Sequence, residues 1–236
     1  MSDDSFGKAG IESPRETAPA PVAKGNSKTV YAIAVLFPAL LLGGLGLSGL
    51  FRKPSDLPVL NEVPTFTFRE SRGRDVGLAD LRGKVWIAAF IFTTCANTCP
   101  TMTAQMQKIE AALAASPSDV RLVSFTVDPD RDTESVLQTY AQRAGAGERW
   151  LFLRGPRDAV YTLAHKGFWL GGVAPGLAPA PPDPTTPPGA EPIPHSRYFA
   201  LVDKASRIRA YFDGTDPDSL KPLVAAARAL LAESAP

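Results

Sequence analysis

The stretch Lys84–Phe92, KVWIAAFIF, is apolar over the length of a buried strand, and it runs within three residues into a pair of cysteines, Cys95-Ala-Asn-Thr-Cys99-Pro100. The segment after the cysteines reads as a helix: Pro100–Ala115 sets Met102, Met106, Ile109 and Leu113 on one face. A chain that passes from interior strand straight into helix belongs to the α/β class, and the rest of the sequence keeps that rhythm. Val59–Phe68 contains a short extended stretch. Val120–Val127 (VRLVSFTV) reads as the next strand. Thr133–Arg143 reads as a helix capped by Asp132 or Thr133. Trp150–Leu153 is a short strand and Arg157–Lys166 a further helix. Strands separated by helices of this length imply βαβ units and a largely parallel centre. Later, Ser196–Val202 and Arg207–Phe212 form a hairpin around Asp203–Ser206, and Ser219–Leu231 is a closing helix. The order βαβα, then ββα, is that of a thioredoxin-like fold.

Two segments stand outside this pattern. Residues 1–28 are polar, without apolar period, and read as a disordered tail. Thr29–Phe51 carries no charge over its whole length. A bilayer core of about 30 Å takes about 20 apolar residues in a helix, so this run is expected to span a membrane. It is longer than the apolar part of a signal peptide and is not followed by an A-x-A-like site, which favours an uncleaved anchor. Lys24 and Lys28 before it are balanced by Arg52 and Lys53 after it, so charge does not fix its orientation. The folded domain then covers 54–236. Within it, residues 174–194 hold nine prolines between Pro175 and Pro194 and read as a stiff, extended inserted loop.

Charge excludes one class of partner. Lys and Arg number 25 against 24 Asp and Glu, and no basic stripe with interleaved aromatics is present, so nucleic acid is not expected. Two cysteines in a domain of this size are no disulfide framework; their closeness points to chemistry. Pro100 suits a first helical position, which puts Cys99 at or near the cap. Free backbone N–H groups there stabilise a thiolate. Three intervening residues, rather than two, widen the turn so that both sulfurs can face one point.

Two thiolates want a third ligand, and the chain has two histidines. His165, beside Lys166 on a helix, reads as an ordinary exposed or half-exposed residue. His195 sits in the turn between the Pro-rich loop and a strand, from which it can reach the cysteines. Two Cys and one His suit catalytic zinc in number, and suit three-coordinate Cu(I), or Cu(II) with an added oxygen, in type. Spacing does not separate the metals. Met102 and Met106 share the period of Ile109 and Leu113 and belong to the core. In Asp128-Pro-Asp130-Arg-Asp132, Asp128 reads either as part of a turn cluster or as an acid that supports the metal site or docks a partner.

The string FIFTTCANTCPTMTAQM resembles the copper site of the Sco/SenC family, proteins needed to assemble cytochrome c oxidase. LADLRGKVW, TVDPDRDT and HSRYFALVDKASRIRAYFDG extend the resemblance over roughly 58–231. It implies that Cys95, Cys99 and His195 bind copper. It implies delivery of that copper to the dinuclear centre of the copper A-bearing oxidase subunit, with another copper donor protein or a thiol reductant as further partners. It places the domain in the periplasm of a bacterium, anchored to the inner membrane, or in a mitochondrial intermembrane space. The Pro-rich insert before His195 is longer than the family's pattern. Two other roles stay open: a thiol–disulfide oxidoreductase using Cys95 and Cys99, and a redox or copper sensor. His195 separates the first two, since copper binding needs it and thiol exchange does not.

Overall fold

The computed structural model describes residues 57–116, 119–170 and 196–233. The tail 1–28, the run Thr29–Phe51, the insert 174–194 and His195 lie outside the described residues. No helix among the described residues is long and apolar enough to cross a membrane.

The strands are β1 (Asn61–Glu62), β2 (Thr67–Glu70), β3 (Asp75–Gly77), β4 (Val85–Ile91), β5 (Val120–Thr126), β6 (Trp150–Arg154), β7 (Tyr198–Val202) and β8 (Arg207–Asp213). The helices are α1 (Leu78–Leu81), α2 (Thr98–Ala112), α3 (Glu134–Arg143), α4 (Arg157–Thr162) and α5 (Leu220–Ala232), with a π-helical turn at Leu163–Gly167. One sheet holds all eight strands in the order β1-β8-β7-β4-β5-β6-β2-β3. The centre β4-β5-β6 is parallel, in register from Val85↔Val120 to Ile91↔Thr126. Every residue of β4 is buried, as an unbroken apolar run requires of a strand covered on both faces.

Alternation along β4 and β5 gives the two faces different cores. Trp86 and Phe90 share one face with Phe125. Around Phe125 gather Phe66, Phe68, Trp86, Phe90 and Phe168, with ring centroids 5.0–6.4 Å away. The ring of Phe68 also needs Gly155, since a Cβ there would lie 2.3 Å from it. Met102, Met106 and Ile109 of α2 are buried, as their common period predicts. Of the two candidate caps for α3, Thr133 accepts from the Val136 N–H. The helix ends at Gly145, whose φ of +60° and backbone bonds Gly145 N–H to Gln142 and Ala146 N–H to Ala141 make a Schellman stop.

The short extended stretch expected within Val59–Phe68 is present as two pieces: on either side of Pro64, β1 pairs with β8 at one sheet edge, and β2 pairs with β3 and β6 near the other. The hairpin β7–β8 forms around Asp203–Ser206 as expected. The Asp203 carboxylate closes it, accepting from Ala205 N–H, Arg207 and the buried Arg209. Burial opposes charge on Asp203, but the bonds from Arg207 and Arg209 win and hold its pKa below the usual range.

Candidate metal centre

β4 delivers the chain to Cys95, and α2 takes it up three residues later. The helix opens earlier than a first-turn Pro100 suggests. Asn97 occupies the cap, Thr98 the first helical position, Cys99 the second and Pro100 the third. Pro100 still costs nothing, because the first helical amides have no partner within the helix. The Asn97 side chain makes no capping bond. Cys95 does that work instead: its Sγ accepts from the Cys99 N–H at 3.4 Å. The sulfur stabilised at the helix start is therefore Cys95.

Neither cysteine is joined in a disulfide; Cys95 is 9% exposed and Cys99 2%. The Cys95 thiol is pulled down to about 5. The bond from the Cys99 side chain contributes most; burial opposes it, and the amides of Cys99, Asn97 and Thr98 add to the lowering. With the folded pKa depressed, the thiolate's contribution to stability is complete above the ordinary thiol pKa and is lost as pH falls through about 5. The rate of iodoacetamide labelling at Cys95, mapped by peptide mass spectrometry on reduced protein, is expected to inflect near that pH. An ordinary thiol inflects at about 8.5. An inflection of Cys95 at the ordinary value would show that its sulfur does not cap α2.

The loop before the cysteines is fastened by Asp132, which the sequence offers both as a helix cap and as a member of the Asp128–Asp132 cluster. Asp132, buried, accepts from the Thr93 N–H at 3.1 Å, from the Thr93 hydroxyl and from the Thr126 hydroxyl. It ties the end of β5 to the segment two residues before Cys95. Nothing in the string DPDRD distinguishes Asp132 from its two acidic neighbours, since all three are spaced for a turn. Asp128 lies elsewhere in the same turn, buried, with Arg131 at 3.2 Å and Arg157 at 3.8 Å from its carboxylate. Asp130 is exposed and also pairs with Arg157.

His165 is exposed in the π-helical turn. Among the described residues no group of three or more His, Cys, Asp and Glu side chains is placed to hold a metal, so Cys95 and Cys99 are the described part of the predicted set. The topology nonetheless bears on His195. β7 runs antiparallel to β4 with Ala200↔Ala88 and Val202↔Trp86, so β7 begins at the end of the sheet where β4 ends. Ser196, the chain neighbour of His195, is buried there and accepts from the Tyr198 N–H.

A four-strand thioredoxin-like centre, with one cysteine after its middle strand and a second in the first turn of the helix that follows, defines a dithiol protein of the thioredoxin-like class. Residues 57–231 match the family model described as SCO1/SenC, and the chain belongs to that family. It is similar to the SCO1 protein homolog of Bacillus subtilis, 32% identical over 161 residues that cover 67% of this chain and 77% of the relative. Its fold is similar to that of BsSco, described as a member of the Sco family of cytochrome c oxidase assembly proteins with a disulfide switch. That likeness has 30% identity and a TM-score of 0.61 over 75% of this chain and 97% of the other. Yeast Sco1 with copper bound shares the fold at 22% identity, with a TM-score of 0.54 over 72% of this chain and 90% of the other.

Proposed function

We propose that this chain is a copper chaperone for cytochrome c oxidase: it binds one copper ion through Cys95, Cys99 and His195 and delivers it to the dinuclear centre of the copper A-bearing subunit. The observation that carries this reading is the pair of reduced sulfurs at the mouth of β4, with the Cys95 thiol pulled down to about 5 at the start of α2. Two soft thiolates and one imidazole are the donor set of three-coordinate Cu(I). Membership of a family whose relatives include a copper-bound structure and an oxidase assembly protein supports the cargo and the client.

The depressed Cys95 thiol also favours a second reading, reduction of the oxidase's copper-ligand cysteines. In that reaction the Cys95 thiolate attacks a partner disulfide and releases one partner thiolate. Cys99, losing its proton, then attacks Cys95 in the mixed disulfide. The partner leaves with two thiols and this chain holds the Cys95–Cys99 disulfide, two electrons having passed.

His195→Ala decides between them. Removing the imidazole weakens copper binding and leaves both sulfurs, so the chaperone reading expects loss of the oxidase copper centre in cells carrying His195→Ala while dithiol reactivity persists. Normal assembly with His195→Ala, and failure with Cys95→Ser, would reverse the assignment in favour of the reductase.

Thr29–Phe51 is proposed to anchor the domain in the inner membrane, facing the periplasm or the intermembrane space. Alkaline phosphatase fused to the C-terminus is expected to be active; an inactive fusion beside an active cytoplasmic reporter reverses the topology.

A further inference from the structure

At the end of the sheet opposite the cysteines, the starts of β4, β5 and β6 form the wall of a cleft of about 770 Å³, within the range of small-molecule sites. Its floor is apolar, from Val76, Leu81 and Leu151. Five cations from four segments line it: Arg72 and Arg74 from the β2–β3 turn, Lys84 before β4, Arg121 in β5 and Arg149 before β6.

Their hydrogen bonds orient these cations without neutralising most of them. Arg72 donates to the Gly147 carbonyl at 2.9 Å, Arg149 to the Leu113 and Ser116 carbonyls at 3.2 and 3.4 Å, and Lys84 to the Asp80 carbonyl. Among the described residues no ion pair joins Arg72, Lys84 or Arg149 to a carboxylate. Arg74 reaches the buried Glu70 at 3.6 Å. The acids of the cleft have other partners: Asp75 pairs with Arg69 at 3.2 Å, outside the lining, and Asp80 accepts from the Gly77 N–H at 2.7 Å. Glu148 is exposed. The cleft thus carries an excess of positive charge, five cations against three acids. Arg121 registers this excess: burial first, then the charge of Arg149, lower its pKa, with Arg74 adding to the lowering and Asp119 opposing it. An anion seated among these groups relieves both effects.

We propose that this cleft is a binding site for a phosphate-bearing anion, held by the guanidinium groups of Arg72, Arg121 and Arg149 and the ammonium of Lys84. Guanidinium forks match phosphate oxygens bidentately, which favours phosphate over a singly charged ion. The site is independent of the copper reading, being at the far end of the strands that carry the cysteines. A soluble phosphate compound and a phospholipid headgroup share this chemistry.

The test is calorimetric titration of the copper-free full chain, in mild detergent, with inorganic pyrophosphate. Saturable binding is expected. Lys84→Gln with Arg149→Gln is expected to weaken it at least about tenfold, since a charge-assisted bond is worth about 1.5–3 kcal/mol and 1.4 kcal/mol is tenfold. Arg72→Gln, an exposed residue, weakens it in a chain whose fold is not in question, and Lys108→Gln on α2 leaves it unchanged. No saturable binding at millimolar pyrophosphate overturns the proposal. So does an affinity that Arg72→Gln leaves unaltered. Displacement of pyrophosphate by water-soluble dihexanoyl phosphatidylglycerol identifies a lipid headgroup as the source. Saturable pyrophosphate binding without displacement identifies a soluble phosphate compound.

Discussion

Phe125→Ala is expected to lower the unfolding free energy of the domain by about 3–5 kcal/mol, measured as a fall in the urea midpoint at unchanged slope. Phe125 is fully buried and touches five other rings, contributed by the segment before β2, by β2 and β4, and by the chain after α4. Its removal leaves a hole that these rings cannot all move to fill, because Trp86 and Phe90 are fixed to a strand paired on both sides. Phe125→Leu keeps most of the volume and is expected to cost less than half as much. A loss below about 1 kcal/mol for Phe125→Ala would show that the cluster repacks.

Asp132→Ala is expected to cost about 3 kcal/mol or more in the same experiment. The substitution leaves the buried Thr126 hydroxyl and the half-buried amide and hydroxyl of Thr93 without their shared acceptor, and an orphaned buried donor costs about 1–3 kcal/mol. Asp132→Asn keeps one carbonyl oxygen and is expected to fall between. The double substitution Thr93→Val with Asp132→Asn removes a donor together with an acceptor. It should therefore cost less than the sum of the two single changes. Strict additivity would mean that Thr93 and Asp132 do not act through one another.

What was legible in the sequence came from period and composition. KVWIAAFIF declared an interior strand because the eight residues after Lys84, without a polar face, have nowhere else to go, and the methionines of α2 declared a core face by sharing a spacing with Ile109 and Leu113. The hairpin at Asp203 was legible from its turn. Less legible was anything decided by tertiary pairing. β3 has three residues and no period to detect; it exists because β2 lies beside it. The division of Val59–Phe68 between two distant sheet partners leaves no local trace beyond Pro64. At the site, the cysteines announced themselves, but their division of labour did not. Whether Cys95 or Cys99 meets the free amides depends on a start of α2 two residues ahead of Pro100. Asp132 was hidden for a similar reason: three acids in one turn look alike until the fold aims one of them at Thr93.

The pairing of β4 also governs how the domain is made. One edge of this strand is satisfied by β5, some thirty-five positions on, but the other waits for β7, more than a hundred positions further along the chain. Contacts so remote in sequence slow folding, because a long loop must close before they form. Until the β7–β8 hairpin arrives, an apolar strand leading to two thiols has an open edge. During synthesis such an open apolar edge is a hazard for aggregation. Docking of β7 is accordingly the expected slow step of refolding, and a chain truncated before Ser196 would lack the partner on one flank of β4.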